Sequence, residues 1–183
     1  GGYYYSAQYV NSVQNAQTSH MPDPYDPTPV KRGIGVYYTS LKIGKVGFAI
    51  IEDRKFKTGP KGLVPQMGPR ADHITDPNSH PKKVDLPEGK ILGDRQLKFM
   101  DEWGQNWQGV SMKAVLSQTI FANAAHRHGK YDYTLVADMD SNGWPQSARD
   151  KAIMAIRKFF GLHIAGDQHL ATVIHHGVNR FRD

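Results

Sequence analysis

Gly166-Asp167-Gln168-His169 places a carboxylate and an imidazole two positions apart, directly after the apolar run Leu162-His163-Ile164-Ala165. In an extended segment, residues two apart point to the same side. One hard oxygen beside one imidazole suits a transition-metal or mixed-metal site. Layered α/β proteins gather ligands at the carboxyl ends of their strands, and Gly166 would allow a tight turn there. The same four residues also describe a turn Asp that caps a backbone amide next to a hydrogen-bonded His, and the motif alone leaves both readings open.

Asp138-Met139-Asp140-Ser141-Asn142-Gly143 copies the first half of a calcium loop, with hard oxygens at alternate positions and a glycine for the sharp turn. The twelfth position of such a loop needs a bidentate Glu, and here it is Arg149. The segment is therefore expected to be an Asx-rich turn leading into a helix. Glu52-Asp53-Arg54 ends another apolar run. Arg54 there could grip a phosphate bidentately or form an ion pair with Asp53. His126, His128, His175 and His176 are expected to be structural, and only one of the adjacent pair can face any one site.

These residues need a scaffold to position them. Tyr9, Val13 and Ala16 have helical spacing. Pro22, Pro24, Pro27 and Pro29 then forbid helix and central strand, which predicts a rigid loop. Residues 36–40 and 46–52 read as a strand pair turning at 43–45. Residues 57–90 carry Pro60, Pro65, Pro69, Pro77, Pro81 and Pro87, the composition of a surface insertion or a rim over a site. Residues 93–107 read as a helix with Leu97, Met100, Trp103 and Trp107 on one face, and 113–117 as a buried strand. Residues 147–160 form the clearest helix, with Pro145 before it, Ser147 as its cap, Asp150 completing a capping box, and Ile153, Ile156, Phe159 and Phe160 as its stripe. Short strands are expected at 162–165 and 170–174. The alternation in the second half argues for an α/β fold.

Composition narrows the chemistry further. The 183 residues suit one domain or a large piece of one. A hydrophobic share of 39% and a charged share of 22% are ordinary for a folded chain. With no cysteine there is no disulfide framework, no thiol nucleophile and no thiolate metal site, so any metal would be held by oxygen or imidazole. No apolar run approaches the length of a membrane span. The net charge of +6 is scattered rather than blocky, so it reads as solvated charge more readily than as a nucleic-acid stripe.

Taken together in order, Glu52-Asp53-Arg54-Lys55-Phe56-Lys57, Leu92-Gly93-Asp94-Arg95-Gln96-Leu97, Ala114-Val115-Leu116-Ser117-Gln118-Thr119, Asp140-Ser141-Asn142-Gly143-Trp144-Pro145 and Ala165-Gly166-Asp167-Gln168-His169 resemble the carboxy-terminal part of the PhoD-like (alkaline phosphatase D) metallophosphatases. The resemblance runs from about residue 35 to 176, and residues 3–29 resemble one branch of large members. It implies an α/β calcineurin-like fold, part of a four-layer αββα sandwich with mixed sheets. It implies metal-dependent hydrolysis of phosphate mono- or diesters, typically with iron and calcium. Asp167 would contribute a carboxylate to the metal region, His169 would either ligate or lie behind the ligands to orient the water or protonate the leaving oxygen, and Arg54 would contact phosphate. Asn142 stands where the family usually has an acid, so no metal role carries over to it. The family's early metal motifs are not in this sequence. The expectation is thus that residues 1–183 are the carboxy-terminal portion of a single domain, with the amino-terminal portion as its necessary partner. Nucleic acid would enter only as a substrate, and the family suggests a periplasmic or secreted location. The competing expectation is a non-catalytic anion-binding module or scaffold fragment that uses the positive charge and the Pro-rich segment.

Overall fold

The computed structural model describes residues 4–122, 126–128 and 133–176. Its centre is a four-stranded mixed sheet. The strands are β1 (Thr39–Ile43), β2 (Val46–Ile50), β4 (Met112–Thr119) and β8 (Leu162–Gly166), in the order β1-β2-β4-β8. β1 and β2 form an antiparallel hairpin around Gly44 and Lys45, with Gly44 at φ 58° as such a tight turn demands. The β2–β4 and β4–β8 pairs are parallel. A parallel pair needs a crossover connection. α2 (Asp94–Gln105) lies in the first connection and α3 (Gln146–Arg157) in the second, and the two helices pack against each other.

Cross-strand partners share a face of a sheet, so the register sorts the side chains into two sets. Ala49 and Val115 point toward the helices and are fully buried, with Ile51 just beyond β2. They meet Phe99 and Met100 of α2, Ala152, Ile153 and Ile156 of α3, and Phe159 in the main core. The opposite face carries Leu41, Ile43, Val46, Phe48, Ile50, Met112, Ala114, Leu116, Leu162 and Ile164. Ile43, Met112, Leu162 and Ile164 are 63%, 44%, 51% and 48% exposed. The helices therefore cover one face of the sheet only.

Lys113 points to the helix side and is 1% exposed, an unusual position for a lysine. Its ammonium donates to the carbonyls of Trp103 and Gly104, the latter at 2.8 Å, at the carboxyl end of α2. A cation there complements the helix dipole. The rings of Trp103 and Trp107 lie 4.4 and 4.8 Å away and add cation–π attraction.

Several local expectations change. β1 starts at Thr39 and includes Ile43, which the sequence reading placed in the turn. α1 (Ala7–Thr18) buries none of its residues. It is held by Asn11, which donates to the Gly33 carbonyl at 3.0 Å and accepts from the Gly35 amide at 2.7 Å. Trp107 lies past the end of α2. Ser147 is not the cap of α3, which begins one residue before it, after Pro145. Asp85 supplies the capping carboxylate from a distant segment, accepting the Ser147 amide at 3.1 and 3.3 Å and its hydroxyl. Asp150 pairs with Arg149 at 2.8 Å instead of closing a capping box. Phe160 is 93% exposed, because the helix ends before it and its φ is 51°. Residues 170–174 form no strand.

Two outcomes follow from this packing. A Cβ on Gly104 would sit 2.4 Å from the Phe159 ring, and one on Gly161 would meet the same ring from its other edge at 2.4 Å. Held on both sides, the ring cannot step away. Gly104→Ala should therefore lose about 1–3 kcal/mol of stability to urea through overpacking, despite the better helix propensity of Ala. Asp85→Ala should cost about 1 kcal/mol through the lost cap, measured the same way.

Candidate functional site

The parallel strands β2, β4 and β8 finish at one edge of the sheet, and the site is built where they finish. β2 leads into Glu52-Asp53-Arg54. The Asp53 side chain is fully buried, and its Oδ2 accepts the Thr119 amide at the end of β4 at 2.9 Å and the Asn142 amide at 2.5 Å. The Gln118 amide, oriented with its nitrogen inward, donates to Asp53 Oδ1 at 3.2 Å and to Glu52 Oε1 at 3.1 Å. Glu52 is fixed in turn through its backbone: its amide donates to Gln96 Oε1 at 2.7 Å and its carbonyl accepts from Gln96 Nε2 at 2.8 Å. Burial pushes the Asp53 carboxyl up to about 6, with the Thr119 amide pulling the other way and Glu52 adding to the rise.

Arg54 does not pair with Asp53. Its guanidinium forks onto Asp140, one nitrogen donating to the carbonyl at 2.7 Å and the other to the carboxylate at 2.6 Å. Lys57 is drawn inward, donating to the carbonyls of Ser141, at 3.0 Å, and Trp144. Burial lowers its ammonium to about 7. The calcium-loop resemblance resolves as an Asx turn, with Asp138 Oδ1 accepting the Asp140 amide at 2.8 Å.

Asp167 and His169 follow β8 as expected, but the segment is not extended. Both residues have positive φ, 76° and 52°. Non-glycine residues in that region are uncommon and cluster at sites where function demands them. The turn is thus made by Asp167 itself, and Gly166, whose φ is not positive, is not what permits it. Asp167 Oδ2 lies 3.5 Å from the Thr119 hydroxyl, which connects it to the end of β4. Asp167, Gln168 and His169 line a cleft of about 520 Å³ with Asp138 and Asp140 from the Asx turn and with Arg70, Asp72 and His73 from the Pro-rich segment. A larger cavity of about 750 Å³ shares residues 167–170 and is lined also by Phe121, Phe160 and Leu162.

One cluster in the cleft escaped the sequence reading. Asp72, His73 and Asp138 each present a ligand atom within 4.8 Å of the others. Asp138 was legible only as a turn residue. The dipeptide Asp72-His73 had no periodic neighbours to draw notice. Their meeting depends on β3 (His73–Ile74) pairing with β7 (Ala137–Asp138), two strands of two residues that no periodicity reveals. Of the other histidines, His176 Nδ1 lies 3.3 Å from Arg149, and His163 is bonded to the Ser117 hydroxyl at 2.7 Å. β5 (His126–His128) pairs with β6 (Tyr133–Leu135), but the His126 and His128 side chains lie outside the described residues.

No protein-family profile matches the chain, and no curated protein matches it. A solved structure described as the structure of PhoD matches 90% of the chain with a TM-score of 0.58 at 17% identity. The chain spans 29% of that structure's length. At that identity the likeness speaks for the fold: the chain is folded like part of PhoD, with a mixed sheet and an α/β arrangement.

The buried Asp53 carboxyl makes a pH test. Its folded value near 6 lies above the ordinary 3.8, so between those values the folded chain keeps a proton that the unfolded chain has released. Its contribution to stability is complete below about pH 4 and is lost as pH rises toward 6, about 3 kcal/mol for a shift of about two pH units. His163 works in the opposite sense, since burial, helped by His176, depresses it to about 4. The informative quantity is therefore the difference between wild type and Asp53→Asn. In denaturant melts that difference should change by about 1–3 kcal/mol between pH 4 and 6 and be flat from pH 6.5 to 8.

Proposed function

We propose that this chain supplies the late part of the active site of a PhoD-like metal-dependent phosphoesterase acting on phosphate mono- or diesters. The observation that carries the reading is the convergence of Asp167, His169 and the Arg54–Asp140 pair at the carboxyl edge of β2, β4 and β8, which meets a PhoD-like fold over nine-tenths of the chain. Fold and site point the same way for a physical reason. Loops at strand ends can bring side chains from distant sequence positions to one spot while the sheet holds them still.

The donors fit a metal-dependent reaction. Carboxylates accept hard cations such as calcium, and imidazole suits iron and other first-row metals. Asp167 and His169 would hold metal there, with iron and calcium as the proposed ions. Bound metal supplies Lewis acidity and offsets the charge that gathers on phosphoryl oxygens. The remaining work belongs to the chain. Arg54, kept in one orientation by Asp140, presents a planar cation toward a phosphate. Where Asp167 alone holds the ion on this side, His169 is instead free to protonate the leaving oxygen. Thr119 steadies the Asp167 carboxylate from the end of β4.

The half-exposed apolar face of the sheet fits the sandwich architecture. We assign it to a second sheet, supplied by polypeptide outside these residues, that completes the four layers and brings the remaining metal ligands. The substrate is a small phosphate ester, with nucleic acid only as a possible diester substrate class, in a periplasmic or secreted setting. Among the described residues, no helix is long and apolar enough to cross a membrane.

In the longer protein carrying this chain, Asp167→Asn should preserve folding, lower bound iron and calcium, and reduce hydrolysis of nitrophenyl phosphate esters at least about a hundredfold. Unchanged metal content and turnover would remove Asp167 from the site. Phosphate-ester binding that is steeply salt-dependent, with no turnover and no response to metal, would instead favour the anion-binding module.

A further inference from the structure

We infer that Asp72, His73 and Asp138 form a metal site of their own, taking one first-row divalent ion that fastens the Pro-rich segment to the Asx turn. This goes beyond the phosphoesterase reading and does not rest on it, because none of the three residues belongs to the set assigned to phosphate chemistry.

The strand pairing builds the site. His73 and Asp138 are direct partners in the antiparallel β3–β7 pair, so their side chains leave the same side of the ladder. Asp72 precedes His73, and its Oδ2 lies 3.7 Å from His73 Nε2. Donor atoms of a tetrahedral ion with bonds of about 2.0–2.1 Å stand roughly 3.3 Å apart. The three atoms lie within 4.8 Å of one another, so a contraction of at most about 1.5 Å closes the set, within the reach of side-chain rotation.

The chemistry is selective. Two carboxylates with one imidazole suit zinc, manganese, iron or cobalt better than calcium, which prefers an all-oxygen shell. His73 is 1% exposed, so its ring is held by the fold. Asp138 shares the cleft with the carboxylates of Asp72 and Asp140, a concentration of negative charge that a cation offsets. Arg70 is one counter-charge already in place, 3.1 Å from Asp72. Its side chain is 56% exposed, and a pair that open is weak enough to give way to an ion. Three protein donors leave further positions for water on the cleft side.

The position gives the ion a mechanical role. Asp72 and His73 come from the segment 57–90, and Asp138 opens the turn that carries Asp140, the residue that orients Arg54. An ion here would tie the cleft wall to the loop that sets the guanidinium.

The test is titration of the metal-free 183-residue chain with Co²⁺, followed by visible d–d absorption, with Zn²⁺ as competitor and trypsin cleavage within 57–90 as a second readout. The expected result is one Co²⁺ displaced by one Zn²⁺, slower cleavage in its presence, and at least about tenfold weaker binding in His73→Gln and Asp138→Asn. Asp167→Asn should bind Co²⁺ as the wild type does, which separates this site from the proposed catalytic metals. If circular dichroism shows that a variant of a buried residue has unfolded, Asp72→Asn decides, since its side chain is partly exposed. Absence of the Co²⁺ signal, an affinity unchanged in the folded variants, or a loss confined to Asp167→Asn would each overturn the inference. Loss of phosphoesterase turnover in Asp167→Asn with Co²⁺ binding retained would leave both proposals standing.

Discussion

The arrangement at the strand ends depends on one buried carboxylate. Asp53 has no exposed surface, and a buried acid without partners would be ruinous to stability. Its partners are what organise the edge of the sheet. By accepting from the Thr119 amide it ties the exit of β2 to the end of β4. By accepting from Asn142 it fixes the turn that begins at Asp138. The neighbours of these groups are the candidate functional residues: Arg54 follows Asp53, Asp140 stands two residues before Asn142, and the Thr119 hydroxyl faces Asp167. The cost of burying the acid shows in its raised pKa. The fold carries that cost at the place where three separated pieces of chain must be held in register.

A second constraint comes from the one-sided sheet. Parallel strands are ordinarily covered on both faces, because their crossovers lay helices against them. Here both crossover helices lie on the same face, and the core gathers there with Phe99, Val115, Ile153 and Phe159. The other face keeps an apolar alternation as regular as a buried one, running through Phe48, Ala114 and Leu162 in a single cross-strand row. A chain selected to leave that face in water would be expected to place polar groups there. The open face and the cleft adjoin the same strand ends, so a sheet packed on that face would deliver its own loops to the cleft. This connects the architecture proposed for the longer protein to its proposed chemistry.

What the sequence revealed follows from the length scale of each interaction. α2, α3, β2, β4 and β8 were legible because each repeats a local pattern over enough residues to show its period. The motif at Asp167 was legible because it follows such a strand. The capping of α3 was not, since Ser147 fits the capping pattern and yet the acceptor is Asp85, brought from a distance by the tertiary fold. The expected strand at 170–174 failed because its apolar residues find no neighbouring strand, and strand preference is mostly the preference for a place in a sheet. Asp72 and His73 were invisible as candidate ligands because their partner Asp138 is reached only through a two-residue pairing. Arg54 could be read as bonding to Asp53 or to phosphate, and its actual partner, Asp140, was in neither reading.

The Pro-rich segment shows why composition speaks to secondary structure and not to order. Six prolines exclude helix across residues 57–90, and among the described residues the segment has only a short 3-10 turn and β3. Yet its base is clasped by Thr58 and Lys90, whose backbone and side-chain groups bond at 2.8 and 2.9 Å. Its middle packs Ile74 and Val84 with Ala137, Met139 and Trp144 in a small core of its own. Trp144 donates to the Val84 carbonyl at 2.8 Å, which satisfies the indole inside that core. Proline also lowers the entropy of the unfolded segment, so fewer contacts suffice to hold it. The consequence is a fixed wall rather than a loose flap. Because Trp144 anchors that wall while Asn142 anchors Asp53, residues 140–145 join the insertion to the strand ends. A displacement of the wall must then reach Arg54 through Asp140, and the geometry of the candidate site is set as much by this insertion as by the sheet beneath it.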